Sequence, residues 1–221
     1  MTSRKELGGQ RRRERLKREQ ADLARLRRRR RVTVVLGAAA AIVALFVVGL
    51  AIAGATPGSS GEGLAAGAAP WPAESTHLRA RLATLAFPPN GNESYHIHAL
   101  LHVYADGQAV TVPANIGISS AAGIESPLHT HDTSGVIHIE AGAPHDFKLA
   151  DFFTVWGVAF SATQLGGYHN SGEATVQVYV NGKPVADVMR YVIGAHDNIV
   201  VAYGAPGSFP TQPPADALDG L

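Results

Sequence analysis

Imidazole carries the candidate chemistry of this chain. There are 10 histidines, no cysteine and only two methionines, Met1 and Met189. Five of the histidines fall into two His-x-His pairs and one near neighbour: His96-Ile97-His98, His129-Thr130-His131 and His138. On a β-strand, residues two apart point to the same side, with Cα atoms roughly 7 Å apart. Two imidazoles leaning together there can bring nitrogens within about 2.0–2.1 Å of one ion. His129, His131 and His138 rank first as metal ligands and His96 and His98 next. His102, Glu140 and Asp132 follow, as ligands or as partners that orient a ligating ring. His77, His145, His169 and His196 fall in expected loops or flanks and are read as surface side chains.

Without thiolates, a soft Cu(I) site is disfavoured. Imidazole with carboxylate suits Zn(II) or Cu(II) first, then Fe(II) or Ni(II). Two histidines with Glu140 or Asp132 would match a facial triad for iron, and three histidines with water would match catalytic zinc. Histidines on the solvent face of a sheet are also often merely solvated, or form a proton-sensitive patch.

The elements that must position these rings are legible from turns and periodicity. If Asp132 to Gly135 turns a hairpin with an even-length loop, His131 opposes Val136 and His129 opposes His138. All three rings then share one face, Glu140 joins them, and Leu128, Ile137 and Ile139 point to a core. Asp106-Gly107 reads as a two-residue type I′ turn between Tyr95–Tyr104 and Gln108–Pro113. That register pairs Val103 with Val110 and Leu101 with Val112, and it sends His96, His98 and His102 to the other face with Leu100 and Tyr104. Asn181-Gly182 does the same between Thr175–Val180 and Lys183–Val188, pairing Val178 with Val185, and Ile199–Tyr203 reads as a last strand.

Leu149, Phe152, Phe153 and Trp156 recur at helical spacing, and Gly157 stops the helix; the stripe is read as core. The expected fold is α+β, a mostly antiparallel sheet with one short helix, β-grasp-like in arrangement. An all-β sandwich or barrel is the alternative if Phe152–Phe160 is a strand.

The net charge of +1 conceals a division of the chain. Residues 1–31 carry 14 Lys or Arg against 4 acids, whereas the rest carries 5 against 14. No charged side chain occurs in the 24 residues from Val32 to Ala55. As a helix they would extend about 36 Å, enough for a bilayer core of roughly 30 Å. The expected organisation is a basic cytoplasmic segment (1–31), a transmembrane helix (32–55) and a flexible linker (56–73). An extracytoplasmic domain (74–204) and a loose tail (205–221) complete it, oriented by the positive-inside rule. A cleavable signal peptide is the competing reading, since Ala51-Ile52-Ala53 and Ala53-Gly54-Ala55 resemble cleavage sites, but the apolar run is longer than a signal core. The arginine clusters are explained by topology and anionic lipid rather than by nucleic acid. The expected partners are the lipid bilayer and a metal ion.

Tyr95 to Pro113, Leu128 to Glu140, Phe147 to Gly157 and Val178 to Gly182 resemble a set of membrane-anchored or secreted bacterial domains to which no activity is attached. His96-Ile97-His98 with His102 and Gly107 is faintly similar to the first cupin motif, but that motif has glutamate where His102 stands and its second motif has no counterpart. The domain is too short for the barrel of amidohydrolases, and Asp132 comes one position early for a metallo-β-lactamase. The function expected is metal binding for sequestration, delivery or sensing. The alternatives are a metal-dependent hydrolase or oxygenase with Asp132 or Glu140 as base, and a non-catalytic interaction module of the cell envelope.

Overall fold

The computed structural model describes residues 63–87 and 93–221. The basic segment, the expected transmembrane helix at 32–55 and residues 56–62 of the expected linker lie outside the described residues. Among those described, no helix is long and apolar enough to cross a membrane.

The described chain is a mostly antiparallel sheet with one substantial helix. Seven strands build the main sheet: β1 (Tyr95–Ala105), β2 (Gln108–Val110), β3 (Leu128–His129), β4 (Val136–Ala141), β5 (Thr175–Val180), β6 (Lys183–Pro184) and β7 (Asn198–Gly204). Their order is β6-β5-β7-β1-β4-β3, with β2 also pairing β1. Both two-residue turns form as their sequences require. Asp106 and Gly107 have φ of 49° and 77°, and Asn181 and Gly182 have 52° and 76°, the left-handed values of a type I′ turn.

Val103 pairs with Val110, and the Val185 N–H donates to the Val178 carbonyl at 2.9 Å. Leu101 and Val112 are not a ladder pair, because β2 ends at Val110 and the following residues turn to the loop that meets Thr130. One pairing is parallel: β7 runs beside β1, Leu101 against Ile199 and Val103 against Val201. The last strand thus enters the middle of the sheet.

Each face of the sheet is covered differently. On one, Leu101, Val103, Ile137, Ile139, Val178, Ile199 and Val201 pack in a single core with helix α2. A shorter helix, α1 (Leu78–Leu82), precedes the sheet. The longer α2 (Leu149–Trp156) buries Leu149, Phe152, Phe153 and Trp156 completely, as the periodicity predicts, so Phe152–Phe160 is not a strand. The Asp151 carboxylate accepts the Lys148 N–H at the helix start, and Gly157 ends it in the left-handed conformation, the usual helix stop.

On the opposite face the C-terminal residues lie over part of the sheet. Phe209 packs with Val200 and Ala202, and Leu218 packs with Leu100 and Val136. Residues 205–221 are therefore not the loose tail that their Pro-rich composition predicts. At the other end, Trp71 is 3% exposed and meets Trp156 edge-on at 6.0 Å, so packing begins within the expected linker. The apolar partners of Trp71, Phe209 and Leu218 come from distant strands and the helix, and local composition does not carry them.

Candidate metal centre

The part of that second face left beside Leu100, Val136 and Leu218 holds the histidines. Antiparallel pairing of β1 with β4 sets His98 opposite His138 and His96 opposite Glu140. Pairing of β3 with β4 sets His129 opposite His138. Period-two alternation sends every one of these side chains away from the helix-covered core, while Leu128, Ile137 and Ile139, each 0% exposed, point into it. The two His-x-His pairs therefore flank one central strand that contributes His138 and Glu140.

His131 reaches the cluster without extending the ladder. β3 stops at His129 because Thr130, fully buried, bonds elsewhere: its N–H donates to Ile116 O, and its hydroxyl donates to Pro113 O at 2.8 Å. The place opposite Gly135 is taken by β1, whose Leu101 N–H donates to Gly135 O at 2.9 Å. Gly135 has φ of 88°, and a Cβ there would sit 2.4 Å from Leu101 O, so only glycine permits this approach. His131 is not paired with Val136 as an extended hairpin predicts, yet its ring centroid lies 4.4 Å from that of His138.

The nitrogens converge. His96 Nε2 is 3.0 Å from His98 Nε2, which is 3.1 Å from His138 Nδ1. His129 Nε2 is 3.2 Å from His131 Nε2. Glu140 Oε1 lies 3.1 Å from His96 Nε2 and 3.4 Å from His138 Nδ1, and Oε2 lies 3.9 Å from His129 Nε2. Nitrogens bonded at about 2.0–2.1 Å to one tetrahedral ion are separated by roughly 3.3 Å, and the nitrogen–nitrogen separations here are close to that value. Two sets of donor atoms each fall within 4.8 Å: His96, His98, His138 and Glu140; and His129, His131, His138 and Glu140.

One ring is already oriented for this task. His129 is 0% exposed, and its Nδ1 sits 2.9 Å from the Ser126 carbonyl. A carbonyl only accepts, so Nδ1 carries the proton and the Nε2 lone pair faces the cluster. Burial pushes the His98, His129 and His138 imidazoles below their ordinary value. For His138 the neighbouring His131, His98 and His129 add to burial and bring it down to about 4. Neutral imidazole is the metal-binding form, so these rings are available as donors at neutral pH.

The same depression predicts acid sensitivity. The unfolded ring titrates near 6.5, so the stability from a neutral folded ring is complete above that pH and declines as pH falls from about 6.5 toward 4. The Tm of the metal-free protein should fall across that window, and less steeply in His138→Gln. An equally steep decline in both proteins would contradict this.

Two second-ranked residues are not brought into the centre. His102 does share the face, but four residues along a strand is about 13 Å, too far from His98 for one ion. It lies instead beside Asn198 and Pro214, where burial lowers its pKa. Asp132 shapes the turn, accepting the Ser134 N–H at 2.8 Å, and that hydrogen bonding holds its pKa low.

Of the remaining histidines, His145 packs on Phe87 and Phe147 and His77 contacts Glu74. The His196 N–H braces β1 by donating to His98 O at 2.7 Å, and His169 is exposed. Sequence reasoning missed Glu125, whose Oε1 lies 3.7 Å from His129 Nε2, and the carbonyl of Ser126. Neither belongs to a spacing that marks a ligand.

Fold and site together define a domain built on a mostly antiparallel sheet with one substantial helix, which carries a histidine and carboxylate cluster on one face of that sheet. No family model matches the chain, and no curated protein or solved structure matches it either.

Proposed function

We propose that this protein binds a divalent transition metal through His96, His98, His129, His131, His138 and Glu140. The supporting observation is the 3.0–3.2 Å spacing of imidazole nitrogens drawn from three strands. Solvated histidines on an envelope interaction surface would have no reason to converge, since like rings crowded together oppose one another's protonation. The donor set favours Zn(II) or Cu(II), with Fe(II) or Ni(II) after them.

In this proposal the chain is a single-pass membrane protein with its N-terminus in the cytoplasm. The 24-residue uncharged run and the arginines before it support that topology. The metal domain is then displayed outside the membrane for sequestration, delivery or sensing. We also read the sheet as β-grasp-like, on the strength of the central parallel β1–β7 pair and the helix packed on one face.

Thermal unfolding of the full-length protein tests the proposal. Binding only to the folded state stabilises by about 2.7 kcal/mol when free ligand is 100 times Kd, so Zn(II) or Cu(II) should raise Tm by several degrees and EDTA should reverse it. No shift with any of Zn(II), Cu(II), Ni(II) and Fe(II) contradicts it.

A further inference from the structure

The metal-binding proposal leaves the number of ions open, and the placement of donors bears on it. Two atoms bonded to one ion at about 2.0–2.1 Å cannot be more than roughly 4.2 Å apart. His96 and His98 group together, and His129 and His131 group together, but the two pairs occur in different sets, joined only by His138 and Glu140. Five imidazoles with carboxylates also exceed the four positions of a tetrahedral ion.

Glu140 stands between the sets with its oxygens divided. Oε1 lies 3.1 Å from His96 Nε2 and Oε2 lies 3.9 Å from His129 Nε2. The donors then sort into a group of four and a group of three that share this carboxylate. The first is His96, His98, His138 through Nδ1, which is 3.1 Å from His98 Nε2, and Glu140 Oε1. The second is His129, His131 and Glu140 Oε2, with His129 Nε2 3.2 Å from His131 Nε2 and 3.9 Å from Glu140 Oε2.

We infer that this face is a two-ion site for divalent transition metals, with the Glu140 carboxylate bridging the ions. A bridging carboxylate holds metals about 3.5–4 Å apart, which the width of the cluster accommodates. This inference rests on the metal-binding proposal, and stoichiometry separates the two.

The full-length protein, equilibrated with Zn(II) and then dialysed against buffer of low free Zn(II), should retain two ions per chain by elemental analysis. His96 and His131 are exposed rings at opposite ends of the cluster, so their loss should spare the fold. His96→Ala and His131→Ala should each retain one ion. Loaded with Cu(II), the wild type should show the weakened, broadened electron paramagnetic resonance of a coupled pair, and each variant should show an isolated Cu(II) signal. One ion per wild-type chain, with an uncoupled Cu(II) signal, overturns the two-ion inference while leaving metal binding standing. No retained ion overturns both.

Discussion

Replacing His138 with alanine should weaken metal binding by at least about 100-fold. Its ring lies at the centre of the cluster, with centroids 4.4 Å from His131, 4.6 Å from His98 and 5.4 Å from His129. It belongs to both sets of donors, and in the two-ion arrangement it ligates the first ion and packs against the two rings that hold the second, so its loss weakens that arrangement as well as a single-ion one. Disturbing only the outer partners of a metal site costs 10–100-fold in affinity, and a directly ligating ring should cost more.

The fold should survive the change. His138 crowds other imidazoles and is held below its ordinary pKa, so its removal relieves repulsion whenever a neighbour is protonated. His102→Ala supplies the comparison, because His102 shares the face but stands outside both sets. Competition titration against a chromophoric chelator should place His102→Ala within about threefold of wild type and His138→Ala far below it. Equal affinities for the two variants would mean that the face, rather than the cluster, attracts the ion.

A second large effect should come from Arg81→Ala, on stability rather than on binding. Arg81 is 2% exposed. Its guanidinium pairs with the Glu74 carboxylate and donates to the Val155 carbonyl at 3.2 Å, so it ties the segment before the sheet to the last turn of α2. Burial works to raise the pKa of Glu74, but hydrogen bonding from Arg81 and His77 overrides it and holds the carboxyl at about 2.

Removing Arg81 empties a buried site and leaves the Glu74 carboxylate, which is 24% exposed, without its main partner, at a cost of roughly 1–3 kcal/mol. Against a total stability of about 5–15 kcal/mol, that is a large fraction. Urea unfolding should show the midpoint falling sharply, while metal stoichiometry in the absence of denaturant stays unchanged. A midpoint within the error of wild type would show that this pair is merely tolerated.

The sequence carried the local half of this architecture. Alternation and turn chemistry placed Leu128, Ile137 and Ile139 in the core and opposed His129 to His138. The Asp106-Gly107 and Asn181-Gly182 turns, and α2 with its Gly157 stop, were equally legible. Long-range pairing was not. Nothing near His96 announces that β1 will lie beside β4, because strands whose paired residues are 40 apart, as His98 and His138 are, share no turn to fix their register.

The second His-x-His pair was therefore visible as chemistry but not as a neighbour of the first. His102 is a different case, since the strand rise alone already sets it about 13 Å from His98. The gap in long-range pairing also explains Arg81, whose Glu74 and Val155 partners are separated by most of the domain's sequence, and the C-terminal residues, whose composition resembles a tail while Phe209 and Leu218 find apolar partners on the sheet.

X-ray absorption at the metal edge reads the ligands of the bound ion themselves. With the full-length protein loaded with Zn(II), the spectrum should show a first shell of nitrogen and oxygen at about 2.0–2.1 Å and outer-shell scattering from at least two imidazoles per ion. That scattering should diminish in His138→Ala. A shell of oxygen alone, without imidazole scattering, would contradict the assignment of these histidines as the ligands.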